Sequence, residues 1–231
     1  RQAESEADVV IWDGGNNDTP FYYPDIHVVV FDPLRAGHEL EYYPGETNLV
    51  MADIAVVNKV DSASDEQIRK VVGNIQRFNT DAEVVMADSA LTAADPVQVK
   101  GKRVVVVEDG PTLTHGGMPY GAGLIAARRW KAKEIISPKS KAVGLMADTF
   151  DQYPHIGRVI PAMGYSPEQI GDLEATINAC DADLVLFATP IDLPNLIRMN
   201  KPAMRVRYEY QDHGAPTLKT ILGKRLEAMT P

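Results

Sequence analysis

The chain has 231 residues and a mass of 25.3 kDa; 45% of its residues are hydrophobic, 24% charged and 7% aromatic. This composition excludes a disordered, fibrous or low-complexity protein and permits one large or two small globular domains. The 23 Lys and Arg against 32 Asp and Glu give a net charge of −9, which argues against nucleic acid as a partner. The single cysteine excludes a paired-cysteine zinc site and fits a reducing compartment, so a cytoplasmic protein is expected. No apolar run approaches the roughly 20 residues of a membrane-spanning helix, so no membrane partner is expected.

Short apolar runs alternate with helix-like stretches along the first half of the chain. Strands are predicted at 9–12, 27–31, 54–57 and 83–86, and an amphipathic helix at 65–78. Each strand is a nearly continuous apolar run, as expected where helices cover both faces of a sheet. The pattern therefore predicts a mainly parallel α/β sheet.

The pattern weakens across 88–102, where small residues, Pro96 and a Gly-Lys turn predict a domain boundary near residue 98. The predicted domains are 1–98 and 99–231. The second half resumes the alternation, with strands at 103–107, 134–136, 158–160, 184–187 and 204–209, and helices at 121–132, 143–150, 166–180, after Pro190 and at 216–228.

The most specific motif is Asn58-Lys59-Val60-Asp61, which lies between an apolar strand and the amphipathic helix. It is similar to the guanine-specificity loop of GTPases. Guanine presents two parallel N–H donors that one carboxylate can accept, and adenine lacks this pair. We predict that Asp61 binds the base, Asn58 braces the loop and the stem of Lys59 covers the base. A polar turn that only caps the next helix is the alternative.

A second loop lies where the following predicted strand ends. GTPases carry at this place a Ser-Ala loop whose backbone N–H binds the base oxygen, and here the residues are Ser89 and Ala90. We therefore predict that both residues bind the nucleotide.

The predicted strand at 9–12 ends in Asp13, Gly14 and Gly15. An Asp at this place suits Mg²⁺, with Asp18 assisting, and the glycine N–H groups suit the terminal phosphate of a nucleotide. An ordinary Asp-Gly turn is the alternative.

The phosphate loop G-x-x-x-x-G-K-[ST], which would precede Asp13, is absent from the sequence. Without it the chain alone is expected to hold a triphosphate weakly and to be inactive. The chain is therefore expected to be the carboxyl-terminal portion of a longer protein. The expected fold class is α/β, with an incomplete P-loop NTPase-like, mainly parallel sheet that lacks the Walker A segment, followed by a second α/β subdomain.

A glycine-rich segment follows the predicted strand at 103–107 and leads into a helix. Its backbone N–H groups and the helix N-terminus predict an anion site. We predict that Thr114, Gly116 and Gly117 bind substrate phosphates and that His115 is catalytic. A long loop whose glycines only satisfy turn geometry is the alternative.

Two pairs of basic residues complete the candidates. Arg35 and His38 follow the predicted strand at 27–31, and we predict that they assist His115 in gripping phosphates at one shared sheet edge. Arg205 and Arg207 alternate on the predicted strand at 204–209, so they line a phosphate site or face solvent.

Taken together, these motifs resemble those of the cyclic 2,3-diphosphoglycerate synthetase family, including bacterial relatives described as predicted GTPases. The resemblance spans nearly the whole chain, and its most specific part is the segment centred on His115. The motifs that carry it are Trp12-Asp13-Gly14-Gly15-Asn16-Asn17-Asp18, Asn58-Lys59-Val60-Asp61, Glu108-Asp109-Gly110-Pro111-Thr112-Leu113-Thr114-His115-Gly116-Gly117-Met118 and Arg205-Val206-Arg207-Tyr208-Glu209.

The resemblance implies an ATP- and magnesium-dependent ligase that joins the two phosphates of 2,3-diphosphoglycerate into an intramolecular anhydride, releasing ADP and phosphate. The implied cofactors are Mg²⁺ and ATP or GTP, because Asp61 suits guanine whereas the named reaction uses ATP. The implied partner is a phosphorylated small-molecule substrate, and a homo-oligomer is left open. A GTP-binding regulatory module and a metallochaperone-type GTPase remain alternatives, although the single cysteine and the lack of a His/Cys cluster argue against the latter.

Overall fold

The computed structural model describes residues 2–15, 18–20, 22–163 and 166–229, which form an α/β protein of two compact units. The first unit comprises the residues up to Ala90 together with those from Tyr210 onward, and the second unit is Leu91–Glu209. Among the described residues, no helix has the length and apolar character needed to cross a bilayer.

The strands, in chain order, are β1 (Val28–Phe31), β2 (Ile54–Val57), β3 (Glu83–Thr92), β4 (Arg103–Asp109), β5 (Glu134–Ile135), β6 (Ile160–Ala162), β7 (Leu184–Ala188), β8 (Ala203–Arg205) and β9 (Arg207–Asp212). The α-helices are α1 (His38–Glu41), α2 (Tyr43–Met51), α3 (Asp65–Phe78), α4 (Gly110–Leu113), α5 (Ala122–Arg129), α6 (Gly144–Gln152), α7 (Pro167–Ala179), α8 (Leu193–Leu196) and α9 (Leu218–Met229). Short 3-10 turns lie at Ala3–Ser5, Pro33–Arg35, Pro96–Val99 and Lys139–Lys141.

The first sheet has the strand order β1-β2-β3-β9, with β1, β2 and β3 parallel to one another. All four residues of β2 are buried, because helices cover both faces of this central strand. Ala55 and Val57 pack in one cluster with Val71 and Ile75 of α3. The alternate residues of β2 pack in a second cluster with Ile221 of α9. Successive side chains of β2 point to opposite faces of the sheet, so this one strand contributes to two separate hydrophobic cores.

The second sheet is parallel throughout, with the strand order β5-β4-β7-β8 and with β6 paired to the far end of β4. Its central strand carries four consecutive valines, Val104–Val107, and each of them is fully buried. An uninterrupted apolar run of this kind is typical of a strand covered on both faces. The polar residues that follow it, Glu108 and Asp109, therefore lie at the carboxyl end of a central parallel strand.

The predicted strand at 9–12 is wrong: these residues adopt no regular structure and are exposed, with Ile11 at 86%. The apolar run pairs with none of the described strands. An apolar segment without a ladder partner lacks the hydrogen bonds that define a strand, whatever its β-propensity. The prediction failed because composition indicates a strand but does not supply its neighbour.

The predicted strand at 204–209 is two strands, β8 and β9, which belong to different sheets. The residue between them, Val206, is buried, and its N–H donates to Phe187 O over 2.9 Å. The third strand of the first sheet also runs further than predicted, through Thr92, because β9 pairs along it. Ser89 and Ala90 consequently lie inside a strand and not in a loop.

The compact units divide the chain differently from the boundary drawn at residue 98. The last segment of the chain returns to the first unit, where Ile221 packs against Ile54 and Val85. A search for a change in composition along the sequence gives a single domain boundary. It does not show that a later segment of the chain belongs to the first unit. Helix α2 was not predicted, since its second and third residues are Pro44 and Gly45.

We predict that Ile221→Ala lowers the stability of the first unit by about 2–4 kcal/mol, because it removes a buried aliphatic side chain shared by two strands. Hydrogen–deuterium exchange of the β2 amides measures this as faster exchange. Lys219→Ala, an exposed change on the same helix, should leave exchange nearly unaltered. Equal exchange in the two variants would contradict the packing described.

Candidate functional site

The candidate residues separate into two groups by unit. Those of the first unit follow β1 and β2, lie on β3 or lie in the extended segment near Asp13, and those of the second unit follow β4 or lie on β8 and β9. Arg35 and His115 therefore follow strands of two different sheets, and the prediction of one shared sheet edge is wrong. The cause is the sheet topology, because β4 begins a new sheet and does not extend the first.

The loop after β2 is joined to β3 through Asp61. The carboxylate Oδ1 of Asp61 accepts a hydrogen bond from Ser89 N–H over 3.2 Å. Two motifs that are 28 residues apart in sequence thus meet at the carboxyl end of the same parallel sheet. Parallel pairing of β2 and β3 is what brings them together.

Next to this bond lies a charged cluster formed by Asp32, Arg35 and Lys59. Lys59 Nζ donates to Asp32 Oδ2 over 2.6 Å, and Arg35 Nε lies 3.9 Å from the same oxygen. Lys59 has a positive φ of 59°, which a non-glycine residue adopts rarely and at a cost. The strained backbone and the ion pair together fix the direction of the lysine stem.

Asn58 has a polar group without a partner at this edge. Its Oδ1 is buried and has no hydrogen-bond partner among the described residues, while its backbone N–H donates to Phe31 O. A buried acceptor without a donor costs free energy of about 1–3 kcal/mol. That base binding involves Asn58 stays a prediction.

Around Asp13 the structure differs from the prediction. Gly15 N–H donates to Asp18 Oδ2 over 2.9 Å, so both the amide predicted to contact a phosphate and the carboxylate predicted to assist are engaged in a local turn. Asp13 itself is exposed. The described residues contain no group of three His, Cys, Asp or Glu side chains suited to a metal. Magnesium at Asp13 consequently stays a prediction that depends on ligand oxygens from elsewhere.

His38 lies at the start of α1, with its ring edge-on to Tyr42 at a centroid distance of 5.4 Å. The preceding Gly37 has a positive φ of 114°, and its N–H donates to Glu39 Oε2 over 2.8 Å. These contacts hold His38 in a local turn. No described hydrogen bond joins its ring to Arg35, so the structure gives the two residues separate surroundings.

In the second unit, the glycine-rich segment is an ordered turn and not an open loop. Asp109 caps helix α4 by accepting hydrogen bonds from the N–H and hydroxyl of Thr112. Gly116 N–H donates to Pro111 O over 2.9 Å, and His155 Nε2 lies 2.7 Å from Leu113 O. The segment is therefore held by hydrogen bonds between its own residues and by the contact with His155.

The ring of His115 is held on one side by Thr114. Thr114 Oγ1 lies 3.0 Å from Gly110 O and 3.0 Å from His115 Nδ1. Because Nδ1 contacts Thr114 and His115 is exposed, Nε2 is the ring nitrogen on the side that a ligand can reach.

Glu108 occupies the place predicted for an anion. Its buried carboxylate accepts hydrogen bonds from the N–H groups of Gly121 (3.1 Å), Gly123 (3.0 Å) and Leu124 (2.8 Å) at the start of α5. The helix N-terminus after the glycine-rich segment is thus already neutralised by the protein itself, and it is not a free phosphate site. A Cβ at Gly121 would lie 2.7 Å from Glu108 Oε2, so glycine is required there.

Burial raises the pKa of Glu108 to about 7, against the opposing effect of the three backbone N–H groups. The carboxylate is 1% exposed and no cation is paired with it among the described contacts. Sequence offered one signal for this residue, an acidic side chain directly after four buried valines and before a glycine-rich turn.

Arg205 and Arg207 do not share a strand face, since they lie on β8 and β9. The guanidinium of Arg205 donates to Pro190 O over 2.9 Å and to Thr189 O over 3.3 Å. These bonds hold a turn after β7, so Arg205 has a structural role in this structure. Arg207 is exposed.

One pair was missed entirely. His213 Nδ1 lies 3.0 and 3.1 Å from the two carboxylate oxygens of Asp88, and the backbone N–H of His213 donates to Met86 O. The two residues are 125 positions apart, so no sequence pattern connects them.

The structure is of the α/β class with mainly parallel sheets, and polar groups lie at the carboxyl ends of its strands, which is where ligands gather in this class. No protein-family profile matches the chain. Over 222 residues, 96% of its length, the chain is 53% identical to a protein named arginine synthetase ArcE from Thermococcus kodakarensis. It spans about half of that relative, 50% of its length.

Two weaker similarities concern proteins named cyclic 2,3-diphosphoglycerate synthetase. The relative from Thermococcus sibiricus is 29% identical over 109 residues, which are 46% of this chain and 24% of that protein. The relative from Pyrococcus furiosus is 25% identical over 77 residues, 33% of this chain and 18% of that protein. The chain is therefore homologous to synthetases, as the sequence motifs indicated.

We predict a pH dependence of stability that Glu108→Gln removes. The folded pKa of about 7 lies above the ordinary 4.5, so the protonated carboxyl stabilises the fold below pH 4.5, and this stability is lost as pH rises through 7. The free energy of unfolding of the native chain should fall relative to that of the variant by about 1.4 kcal/mol per pH unit between these values. Urea unfolding, followed by Trp130 emission in a Trp12→Phe background, measures the difference.

The exposed substitution Glu168→Gln is the control and should leave the pH profile unchanged. Parallel profiles for the native chain and Glu108→Gln would show that Glu108 does not titrate in this interval.

Proposed function

We propose that the chain serves a synthetase reaction driven by hydrolysis of a nucleoside triphosphate. The observation that carries the proposal is the bond between Asp61 and Ser89, which joins two motifs of a base-binding site at one sheet edge. The buried, unpartnered Oδ1 of Asn58 at the same edge adds an acceptor that a bound group would satisfy.

The proposal assigns different tasks to the two units. In the first unit, Asn58, Lys59 and Asp61 bind the base, with Ser89 and Ala90 beside them. In the second unit, His115 uses its exposed Nε2 to contact the acceptor, and Thr114 fixes the ring. The remaining proposed ligands are Gly14, Gly117 and Arg207, with Asp13 for magnesium carried by the phosphates.

Such a reaction depends mainly on charge neutralisation and positioning, and less on a strong base. The Lys59–Asp32 ion pair and the ordered turn around His115 are elements of this kind, because both hold polar groups in one orientation before a ligand arrives. Bound magnesium would supply charge neutralisation of the phosphates.

We propose arginine as the product, because the chain is 53% identical over 96% of its length to a protein named arginine synthetase. Formation of cyclic 2,3-diphosphoglycerate is the second candidate. It is supported by the identity of 29% over 109 residues and of 25% over 77 residues with two proteins named for that reaction.

Nucleotide binding is tested by calorimetric titration of the 231-residue chain with GTP and with ATP in the presence of magnesium. A chimera in which the unmatched half of the Thermococcus kodakarensis protein is joined to this chain is titrated in parallel. We expect the chimera to bind a nucleotide more tightly than the chain alone. If neither form binds GTP or ATP, the proposal fails.

The role of Asp61 is tested in the form that binds. Asp61→Asn should weaken GTP binding by roughly 10- to 100-fold, because it removes one member of a charge-assisted pair with guanine, and should leave ATP binding nearly unchanged. Asp81→Asn, on an exposed turn of the same unit, is the control with the same change in charge. An equal loss of affinity for GTP and ATP would show that Asp61 stabilises the contact with β3 and does not recognise the base.

The identity of the product is tested by running the proposed synthetase reaction in reverse, because this needs arginine and not its unidentified precursor. The chimera is supplied with arginine, magnesium, phosphate and ADP or GDP, and nucleoside triphosphate formation and arginine loss are measured together. Arginine-dependent formation supports the first candidate. Turnover with 2,3-diphosphoglycerate and triphosphate but not with arginine supports the second, and nucleotide binding without turnover of either supports a regulatory module.

A further inference from the structure

A histidine–carboxylate pair lies in the first unit, and none of the residues assigned above belongs to it. His213 Nδ1 lies 3.0 and 3.1 Å from the two carboxylate oxygens of Asp88. An ionised carboxylate only accepts hydrogen bonds, so Nδ1 carries the proton of this contact. The histidine side chain is 58% exposed, and within the described residues no hydrogen bond uses its Nε2. The pair therefore presents an oriented imidazole nitrogen to its surroundings.

The backbone on both sides of His213 is held in place. The N–H of His213 donates to Met86 O over 2.9 Å. The preceding Asp212 accepts a hydrogen bond from Leu218 N–H at the start of α9 over 2.8 Å. The following Gly214 has a positive φ of 76°, and a Cβ there would meet no described atom within 4 Å. The imidazole thus lies beside open space on an anchored segment.

The pair shares a stretch of β3 with the proposed base-binding loop. Val60 N–H donates to Ala87 O over 3.1 Å, and Ser89 N–H donates to Asp61 over 3.2 Å. The alternate positions of the strand, 86 and 88, bond to His213. Because β3 lies between β2 and β9, the loop and the histidine flank it from its two sides. Their separation is about 10 Å, twice the spacing of neighbouring strands, and a planar base with hydrogen bonds at two edges bridges a gap of this order.

The bond between Ser89 and Asp61 leaves one edge of the base without its predicted donor. The sequence predicts that a backbone N–H at Ser89 or Ala90 binds the base oxygen, but Ser89 N–H donates to Asp61 in the structure. At this edge guanine presents a carbonyl oxygen and adenine presents an amino group. Imidazole Nε2 suits both in turn, because the neutral ring accepts a hydrogen bond there and the protonated ring donates one.

We propose that His213 contacts the base of the bound nucleotide through Nε2 and determines which base is preferred. This inference rests on the proposed function. Neutral His213 accepts a hydrogen bond from the amino group of adenine, and protonated His213 donates one to the carbonyl oxygen of guanine. Asp88 is a positioning residue, because it holds Nδ1 and thereby directs Nε2 toward the base.

The charged groups around the imidazole are mainly acidic. Asp88 on β3 contacts it, Asp212 precedes it on β9, and Asp61 lies in the loop on the other side of β3. Tyr210 of β9 donates its hydroxyl to Asp212 over 2.5 Å, and the first turn of α9 carries the exposed Lys219. Carboxylate, phenol and ammonium groups ordinarily keep their charge near neutral pH, whereas imidazole changes its charge there. A base preference that changes with pH in this range is therefore the signature of the histidine.

The base preference is tested by calorimetric titration with ATP and with GTP, in the presence of magnesium, at about pH 6 and about pH 8. The 231-residue chain is used, or the chimera described above if only that form binds. Because the two nucleotides carry the same triphosphate, ionisation of the phosphates cancels in the ratio of their Kd values. We expect Kd for GTP divided by Kd for ATP to rise roughly 10-fold from the lower to the higher pH, since a charge-assisted bond to guanine is lost.

The histidine is tested with His213→Gln. A side-chain amide offers a donor and an acceptor at every pH, so this variant should bind both nucleotides with a ratio that does not change with pH. A constant ratio in the native protein would overturn the inference, and so would the same pH-dependent ratio in His213→Gln. If neither nucleotide binds to the native chain or to the chimera, the proposed function itself fails and this inference fails with it.

The positioning role is tested with two variants of Asp88. Asp88→Ala should weaken binding of both nucleotides by roughly 3- to 10-fold, because Nε2 loses its fixed direction. Asp88→Asn keeps an acceptor for Nδ1 and should restore both the affinity and the pH-dependent ratio. Asp81→Ala, an exposed change in the same unit, is the control and should alter neither. Circular dichroism and thermal unfolding confirm that the variants fold, and native affinity in Asp88→Ala would contradict the positioning role.

Discussion

The second unit depends on one buried carboxylate. Glu108 follows the central valine strand and receives three backbone N–H groups from the start of α5. It thereby links the sheet to the helix without a cation, using the partial positive charge of the helix terminus. The glycine-rich turn lies between these two anchored points, so its position is determined at both ends.

This arrangement changes how a glycine-rich segment before a helix is interpreted. The pattern is usually associated with anion binding, because free N–H groups point outward at the helix start. Here the anion is internal, and Gly121 is needed because a side chain would collide with Glu108. The glycines at the helix start therefore serve packing around Glu108.

Sequence predicted the central elements well where local signals were strong. Strand β2 and helix α3 begin and end as predicted, because a fully buried apolar run and a Ser64 capping box both mark their bounds. Prediction from the sequence failed where a strand depends on a neighbouring strand. The exposed apolar run that ends at Trp12 has no such neighbour among the described strands, and the segment around Val206 is divided between two sheets. A ladder partner is a property of the whole chain and has no local signature.

For the candidate site, the same distinction holds. The spacing of Asn58 and Asp61 after a parallel strand was sufficient to place them at the sheet edge, and the bond to Ser89 follows from the parallel order. The Asp88–His213 pair was not predictable, because its members are 125 positions apart in the sequence. Homology to synthetases agrees with the motif-based expectation, while the relative with 53% identity carries the name of a different product.

The chain path also sets an order of assembly during synthesis. The second unit lies within the sequence of the first, which is completed only by residues from Tyr210 onward. A ribosome releases all of Leu91–Glu209 before α9 emerges, so the second unit can fold while the first sheet still lacks one helical cover. Until Ile221 arrives, one face of β2 and β3 stays uncovered, and this half-built sheet is the species most exposed to aggregation and to chaperone binding.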